Sequence, residues 1–196
     1  TLAGTLAAVI WSMTVLASAN RRLTLEVSRE KDRQMLLNRV LAISAGSRDA
    51  DEITGGAAGA IAQASGWSSV TVALPSEDHF FRFRGSSRGP AGERQGHDQG
   101  VIGRAYATGL TQRVADVRSD PDYLPFSAET RSELAVPLRR NGRILGVLNL
   151  ESADAGTLGP EEVRLAESLA EAISLGLENA RLERARDEVT HLMVHD

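Results

Sequence analysis

A single hairpin constrains the fold most. Glu133 to Leu138 and Ile144 to Leu150 are two apolar runs of strand length, joined across Arg140-Asn141-Gly142. Asn-Gly is the strongest short-range signal for a tight turn between antiparallel strands, because both residues accept left-handed backbone. An antiparallel pair therefore anchors the second half of the chain. Upstream, Val70, Val72 and Leu74 alternate as a strand, Pro75 to Asp78 form a turn, and Phe81 and Phe83 alternate with Arg82 and Arg84 in a second strand. Gly85 to Gly100 has no period of either kind and reads as a loop. A short helix over Val101 to Thr108 carries Ile102, Ala105 and Tyr106 and ends at Gly109, followed by a short strand over Gln112 to Val114. Asp116 to Ser127, with Pro121, Tyr123, Leu124, Pro125 and Phe126, is irregular yet too apolar to be simply exposed.

Helices flank this sheet-forming middle. Asp49 or Asp51 can cap a helix running to about Ser65, with Ile53, Ala57, Ala60, Ile61 and Ala64 on one face. After Gly159, Pro160 suits a first helical turn, and Glu161 and Glu162 favour the positive end of its dipole. Val163, Ala166, Leu169, Ala170, Ile173, Leu177 and Ala180 then continue an apolar stripe toward the end of the chain, longer than a globular helix normally runs.

The beginning differs from the rest. Thr1 to Asn20 carries no charge and holds Leu2, Leu6, Val9, Ile10, Trp11, Met13, Val15 and Leu16, followed at once by Arg21 and Arg22. About 20 helical residues span a bilayer core, and a basic pair favours the cytoplasmic side. The segment reads as part of a membrane helix, with a buried Ala-rich core helix as the alternative. Residues 21–45 form a charged helix with a partial stripe of Leu23, Val27, Met35, Leu37, Val40, Leu41 and Ile43. Such a helix either pairs with a copy of itself or packs on the next domain.

Composition removes several chemistries. Among 196 residues there is no Cys, which excludes disulfides, thiolate metal sites and catalytic thiols within this sequence. With 22 basic against 26 acidic residues and a net charge of −4, the basic excess expected of a nucleic-acid binder is absent.

Six segments in order carry a family resemblance: Gly100-Val101-Ile102-Gly103-Arg104-Ala105, Thr108-Gly109, Val114-Ala115-Asp116-Val117, Asp120-Pro121-Asp122-Tyr123, Ser132 to Leu138, and Gly146 to Ser152. The string resembles a GAF domain over about residues 35 to 180. The resemblance implies an α+β fold with an antiparallel sheet of about six strands, helices on one face and a small-molecule pocket on the other. Candidate pocket residues are Trp67, Phe81, Tyr106, Asp116, Tyr123 and Phe126, each with ordinary packing as its alternative role. The missing Cys removes covalent bilin attachment and free-methionine-sulfoxide reductase chemistry from the family's repertoire. The cyclic-nucleotide pattern also departs, with Leu150 after Asn149 and Leu158 where Phe would stand. His79 and His97 are the available imidazoles for haem, but solvated side chains are the plainer reading.

The last residues, Leu182 to Asp196, resemble the run into the phosphoacceptor helix of sensor histidine kinases. By that pattern His195 would be phosphorylated and Asp196 would orient it or take its proton. The resulting expectation is the input region of a membrane-anchored bacterial sensor histidine kinase in a two-component system, at the cell inner membrane with its GAF domain cytoplasmic. Its divisions would be a partial membrane helix over 1–20, a linker or coiled coil over 21–45, the GAF domain over 46–176 and a signalling helix over 177–196. Implied partners are a second copy, a response regulator and the membrane, with no nucleic acid. No metal or cofactor is identified, and ATP would enter only through a kinase domain outside these residues, which hold no phosphate loop. The alternative is a non-catalytic dimerisation module feeding a diguanylate cyclase, a serine phosphatase or a transcription factor.

Overall fold

The structure, a computed structural model, describes residues 2–85, 94–125 and 127–194, with the side chains of 2–10, 192 and 194 outside the description. The chain divides into two units, residues 1–35 and 36–196. Helix α1 (Leu2–Gly46) begins in the first and ends in the second. It crosses the change from uncharged to charged sequence unbroken, since no proline interrupts it.

In the first unit, Trp11, Met13, Leu16, Leu23 and Val27 are exposed. Among the described residues no helix is long and apolar enough to cross a membrane. This overturns the membrane-helix reading of residues 1–20 and the inner-membrane location drawn from it. Ser12, Thr14, Ser18 and Asn20 dilute the apolar character of the segment.

The second unit is an α+β fold around one antiparallel sheet. Strands β1 (Ser69–Pro75), β2 (Phe81–Gly85), β3 (Gln112–Val114), β4 (Ser132–Arg140) and β5 (Arg143–Ser152) lie in the order β2-β1-β5-β4-β3. Among the described residues the sheet has five strands rather than about six, because Phe80 and Gly96 form only an isolated bridge. The β4–β5 turn is the expected one. Asn141 (φ 52°) and Gly142 (φ 75°) are both left-handed, which matches the turn's twist to that of the strands.

Side chains alternate across the sheet and separate two cores. On one face Val70, Val72, Leu74, Leu134, Val136, Leu138, Leu148 and Leu150 pack under α2 (Ala50–Ala64), α4 (Pro160–Val194) and the last turns of α1, where Leu36 and Val40 are buried. Asp49 caps α2, accepting from Asp51 N at 2.7 Å and Glu52 N at 3.0 Å. In α4, Glu162 accepts from Gly159 N at 3.0 Å, and Ala166, Leu169, Ala170, Ile173, Leu177 and Ala180 are buried at helical spacing. Beyond Ala180 the described apolar side chains Leu182, Val189 and Met193 are exposed. On the other face Ala73, Ala135 and Val147 meet Phe81, Val101, Ile102, Ala105, Val114 and Val117 under the shorter helix α3 (Gly100–Thr108).

The two long helices come close together at Gly176. A Cβ there would lie 2.6 Å from both Cβ and O of Ser44. Gly59, in α2, has open space around the same position. Gly176→Ala is therefore expected to destabilise by about 1–3 kcal/mol through overpacking, although alanine is the better helix former. Gly59→Ala is expected to stabilise by about 0.5–1 kcal/mol. Urea denaturation midpoints measured side by side check both signs.

Candidate functional site

The face of the sheet covered by α3 carries an unusual row. Glu133 and Glu151 are directly opposed in the β4–β5 register, and Asn149 stands two residues from Glu151, opposite Ala135 on β4 and Thr71 on β1. All three lie on the same side as Ala135 and Val147, by strand alternation. They are nearly inaccessible, at 2%, 1% and 1% exposure for Glu133, Asn149 and Glu151. Like charges directly opposed destabilise a strand pair, and burying charge is costlier still. An arrangement so unfavourable to folding alone is a functional candidate.

Few neighbours satisfy the pair. Thr130 donates to Glu151 Oε2 at 2.7 Å, and Asn149 Nδ2 lies 3.4 Å from Glu151 Oε1. The buried Asn149 Oδ1 has no hydrogen-bond partner among the described residues. Burial first, then the Glu151 carboxylate, push the Glu133 carboxyl up to about 8, against a hydrogen bond from Asn149. Burial also raises Glu151, opposed by its bonds from Thr130 and Asn149. At neutral pH Glu133 therefore keeps its proton. Tyr123 closes one side, its phenol pushed up to about 12 mainly by burial, with Glu151 and Glu133 adding to the effect.

Arg104, on α3, stands beyond the pair. It holds Asp120 through two bonds, at 2.6 and 3.2 Å, and Asp122 at 2.7 Å. Asp120 and Arg104 act on Glu133 with opposite signs, the carboxylate raising it and the guanidinium lowering it. The ion pair thus screens much of its own field at the buried acids.

The residues named from sequence fall in several places. Phe81 and Tyr106 meet edge to face at 5.4 Å beneath α3, and Tyr123 packs against the same cluster. His97 joins them, 4.8 Å from Phe81 and 5.4 Å from Tyr106, with Nε2 2.9 Å from Phe80 O. Trp67 packs instead against the core on the opposite face, at the turn from α2 into β1. Asp116 caps the 3-10 turn Val117–Ser119 and pairs with Arg118 at 2.6 Å. Phe126, His195 and Asp196 lie outside the described residues. Sequence reasoning missed Glu133, Asn149 and Glu151. Their signal was present: Glu133, Asn149 and Glu151 interrupt the apolar middles of two strands at positions of one parity.

Residues 47–178 match the GAF domain family, and the chain belongs to it. It is 40% identical over 63 residues to Protein YtsP of Bacillus subtilis, covering 32% of this chain and 39% of that protein. It is 35% identical over 77 residues to the free methionine-R-sulfoxide reductase of Saccharomyces cerevisiae, covering 39% of this chain and 43% of that one. The chain thus spans less than half the length of these curated relatives. Among solved structures, the free methionine-R-sulfoxide reductase of Neisseria meningitidis in complex with its substrate aligns with a TM-score of 0.68 and 26% identity, over 77% of this chain and 91% of that one.

These likenesses overturn the reading as a kinase input region, and the two-component and phosphorelay assignments with it. Two of these relatives are free methionine-R-sulfoxide reductases. They do not support the alternative of a module feeding another signalling output either. The six ordered segments that carry the family resemblance supply α3, β3, β4, β5 and connections between them, and these belong to the fold without specifying an output.

The buried pair should leave a mark on stability. The folded chain holds a proton on Glu133 up to about pH 8 that an ordinary carboxylate releases near 4.5, so raising pH across that interval disfavours the folded state. The expected result is a urea midpoint that falls from pH 5 to 8 and levels above it, with a flatter profile for Glu133→Gln.

Proposed function

We propose that this GAF domain binds a small molecule carrying a primary ammonium group, with free methionine sulfoxide as the first candidate. The observation that carries this reading is the buried Glu133–Glu151 pair with the partnerless Asn149 Oδ1 beside it. With Glu133 ionised, two carboxylates and one amide oxygen present acceptors only, and an ammonium presents three donors. The cation would take the place of the Glu133 proton: as its N–H groups reach Glu151 and Asn149, Glu133 ionises and releases that proton to solvent. A charge that is unfavourable in the empty fold then becomes the partner of the ligand.

The relatives supply the candidate. The reductase similar in structure is described with its substrate bound, and an amino acid such as methionine sulfoxide carries the group this site is built to accept. Reduction is a separate matter. Converting a sulfoxide to a thioether consumes two electrons and two protons and releases water, and these 196 residues hold no Cys to supply the electrons. Binding without reduction by the chain's own residues is the reading these groups support.

Calorimetry with free methionine sulfoxide tests it, alongside the analogue in which hydrogen replaces the amino group. Saturable binding of the first and none of the second is expected. Glu151→Gln should weaken binding about tenfold or more, the worth of a hydrogen bond to a charged group. Equal binding of both compounds would sink the proposal. Methionine formed above a protein-free control in the presence of dithiothreitol would overturn the claim of binding without reduction.

A further inference from the structure

We propose that α1 pairs with α1 of a second copy of this chain, as a parallel two-stranded coiled coil whose register is set by Asn20. The pairing is independent of the Glu133–Glu151 pair and needs no ligand.

Helix α1 is 45 residues long. With a membrane span set aside among the described residues, a periodic helix of such length is the form a coiled coil takes. Its large apolar residues recur at alternating steps of three and four. Met13, Val27 and Leu41 fall at position a of a seven-residue repeat, and Leu16, Leu23 and Leu37 at position d. The sequence carries the same spacing back through Val9, Leu6 and Leu2. Nine of the twelve a and d positions from Leu2 to Leu41 therefore hold Leu, Val or Met, and no other register of these residues places more than six large apolar side chains on its seam. An average step of 3.5 residues keeps such a stripe facing one partner as two helices supercoil.

The stripe is open. Met13, Leu16, Leu23 and Val27 are between 60% and 73% exposed. The domain holds the end of α1 by residues off the seam, Leu36 and Val40, and leaves Leu41 exposed. The apolar start of α1, uncharged to Asn20, thus has the pattern of a helix seam.

The polar positions name the occupant. Asn20 falls at a, where two parallel helices in register bring it against its own copy and a slipped pair sets it against an apolar side chain. A single asparagine at a selects register and strand number at a cost in stability. Glu26 and Lys31 fall at g and at the e that follows it, on either side of Val27, and both are exposed. Five residues apart, they are not neighbours on one helix. In a parallel pair g of one helix faces the next e of the other, so Glu26 meets Lys31 of the second copy, and symmetry makes that contact twice. Lys31 is the only Lys in the chain. Glu30 at d and Gln34 at a form a polar stretch of the seam, where Gln34 Nε2 donates to Glu30 Oε1 at 3.1 Å.

Because the sequence holds no Cys, a single introduced thiol reports the pairing. Mild oxidation is expected to cross-link Val27→Cys chains to each other, since an a position meets itself in a parallel pair within the span of a disulfide. Leu25→Cys, exposed but off the seam, should stay uncoupled. Sedimentation equilibrium of the unaltered chain should give twice the mass of one chain. Lys31→Glu should raise the dissociation constant about tenfold by opposing two pairs of like charges, and Glu26→Lys added to it should restore the original value. Asn20→Val should tighten association and populate more than one oligomeric state. A monomeric mass throughout the concentration series would overturn the proposal, as would cross-linking of Leu25→Cys as readily as Val27→Cys, a charge swap that fails to restore the dimer, or an Asn20→Val chain that remains a single dimeric species. All of these substitutions lie within residues 1–35, outside the unit that holds the sheet.

Discussion

The pairing of β4 with β5 is the constraint on which the rest depends. It runs from Ser132 opposite Ser152 to Arg140 opposite Arg143, and β5 is also the strand that holds β1. Its register assigns every side chain of the central sheet to a face. The same register that sends Leu134, Leu148 and Leu150 under the long helices sends Glu133, Asn149 and Glu151 under α3. A slip of one residue would exchange the two sets, placing two carboxyls in the larger core. Core and candidate site are therefore one commitment of the backbone.

Much of that commitment was legible in the sequence. Asn141-Gly142 fixed the turn because only a few residues tolerate left-handed backbone. The Asp49 cap, the Gly109 terminus of α3 with φ 65° and the proline-led start of α4 are local signals of the same kind. The strand count was less legible, since the step from Phe80–Gly96 bridge to full strand depends on neighbours rather than on local pattern. The site was harder to see. A glutamate in a strand ordinarily reads as solvent-facing, and only the cross-strand register, a long-range property, shows Glu133 and Glu151 buried against each other. Aromatic side chains drew attention for their size, yet Trp67 packs on the opposite face.

The functional reading shows where sequence order misleads. A hydrophobic start, a charged helix, a GAF segment and a terminal His-Asp pair make a familiar series, but each is compatible with other contexts. Fold does not determine function; sites do. The buried acids and the likeness to the reductases concern the chemistry of particular side chains and carry the argument that the series of elements could not. The missing cysteines then acquire a narrower meaning. They leave the buried Glu133, Asn149 and Glu151 in place and remove the thiols a reductive step would need.

The order of the strands bears on how the chain is made. Strand β1 is complete by Pro75, but its inner partner, β5, begins only at Arg143. While the intervening residues emerge from the ribosome, the row of Val70, Val72 and Leu74 has β2 on one side and an open edge on the other. Contacts this distant in sequence form late and slow the folding of the whole domain. An exposed strand edge in the meantime is a template for pairing with other chains. A nascent chain interrupted before residue 143 would thus hold a half-built sheet, and the final hairpin is the piece that closes it.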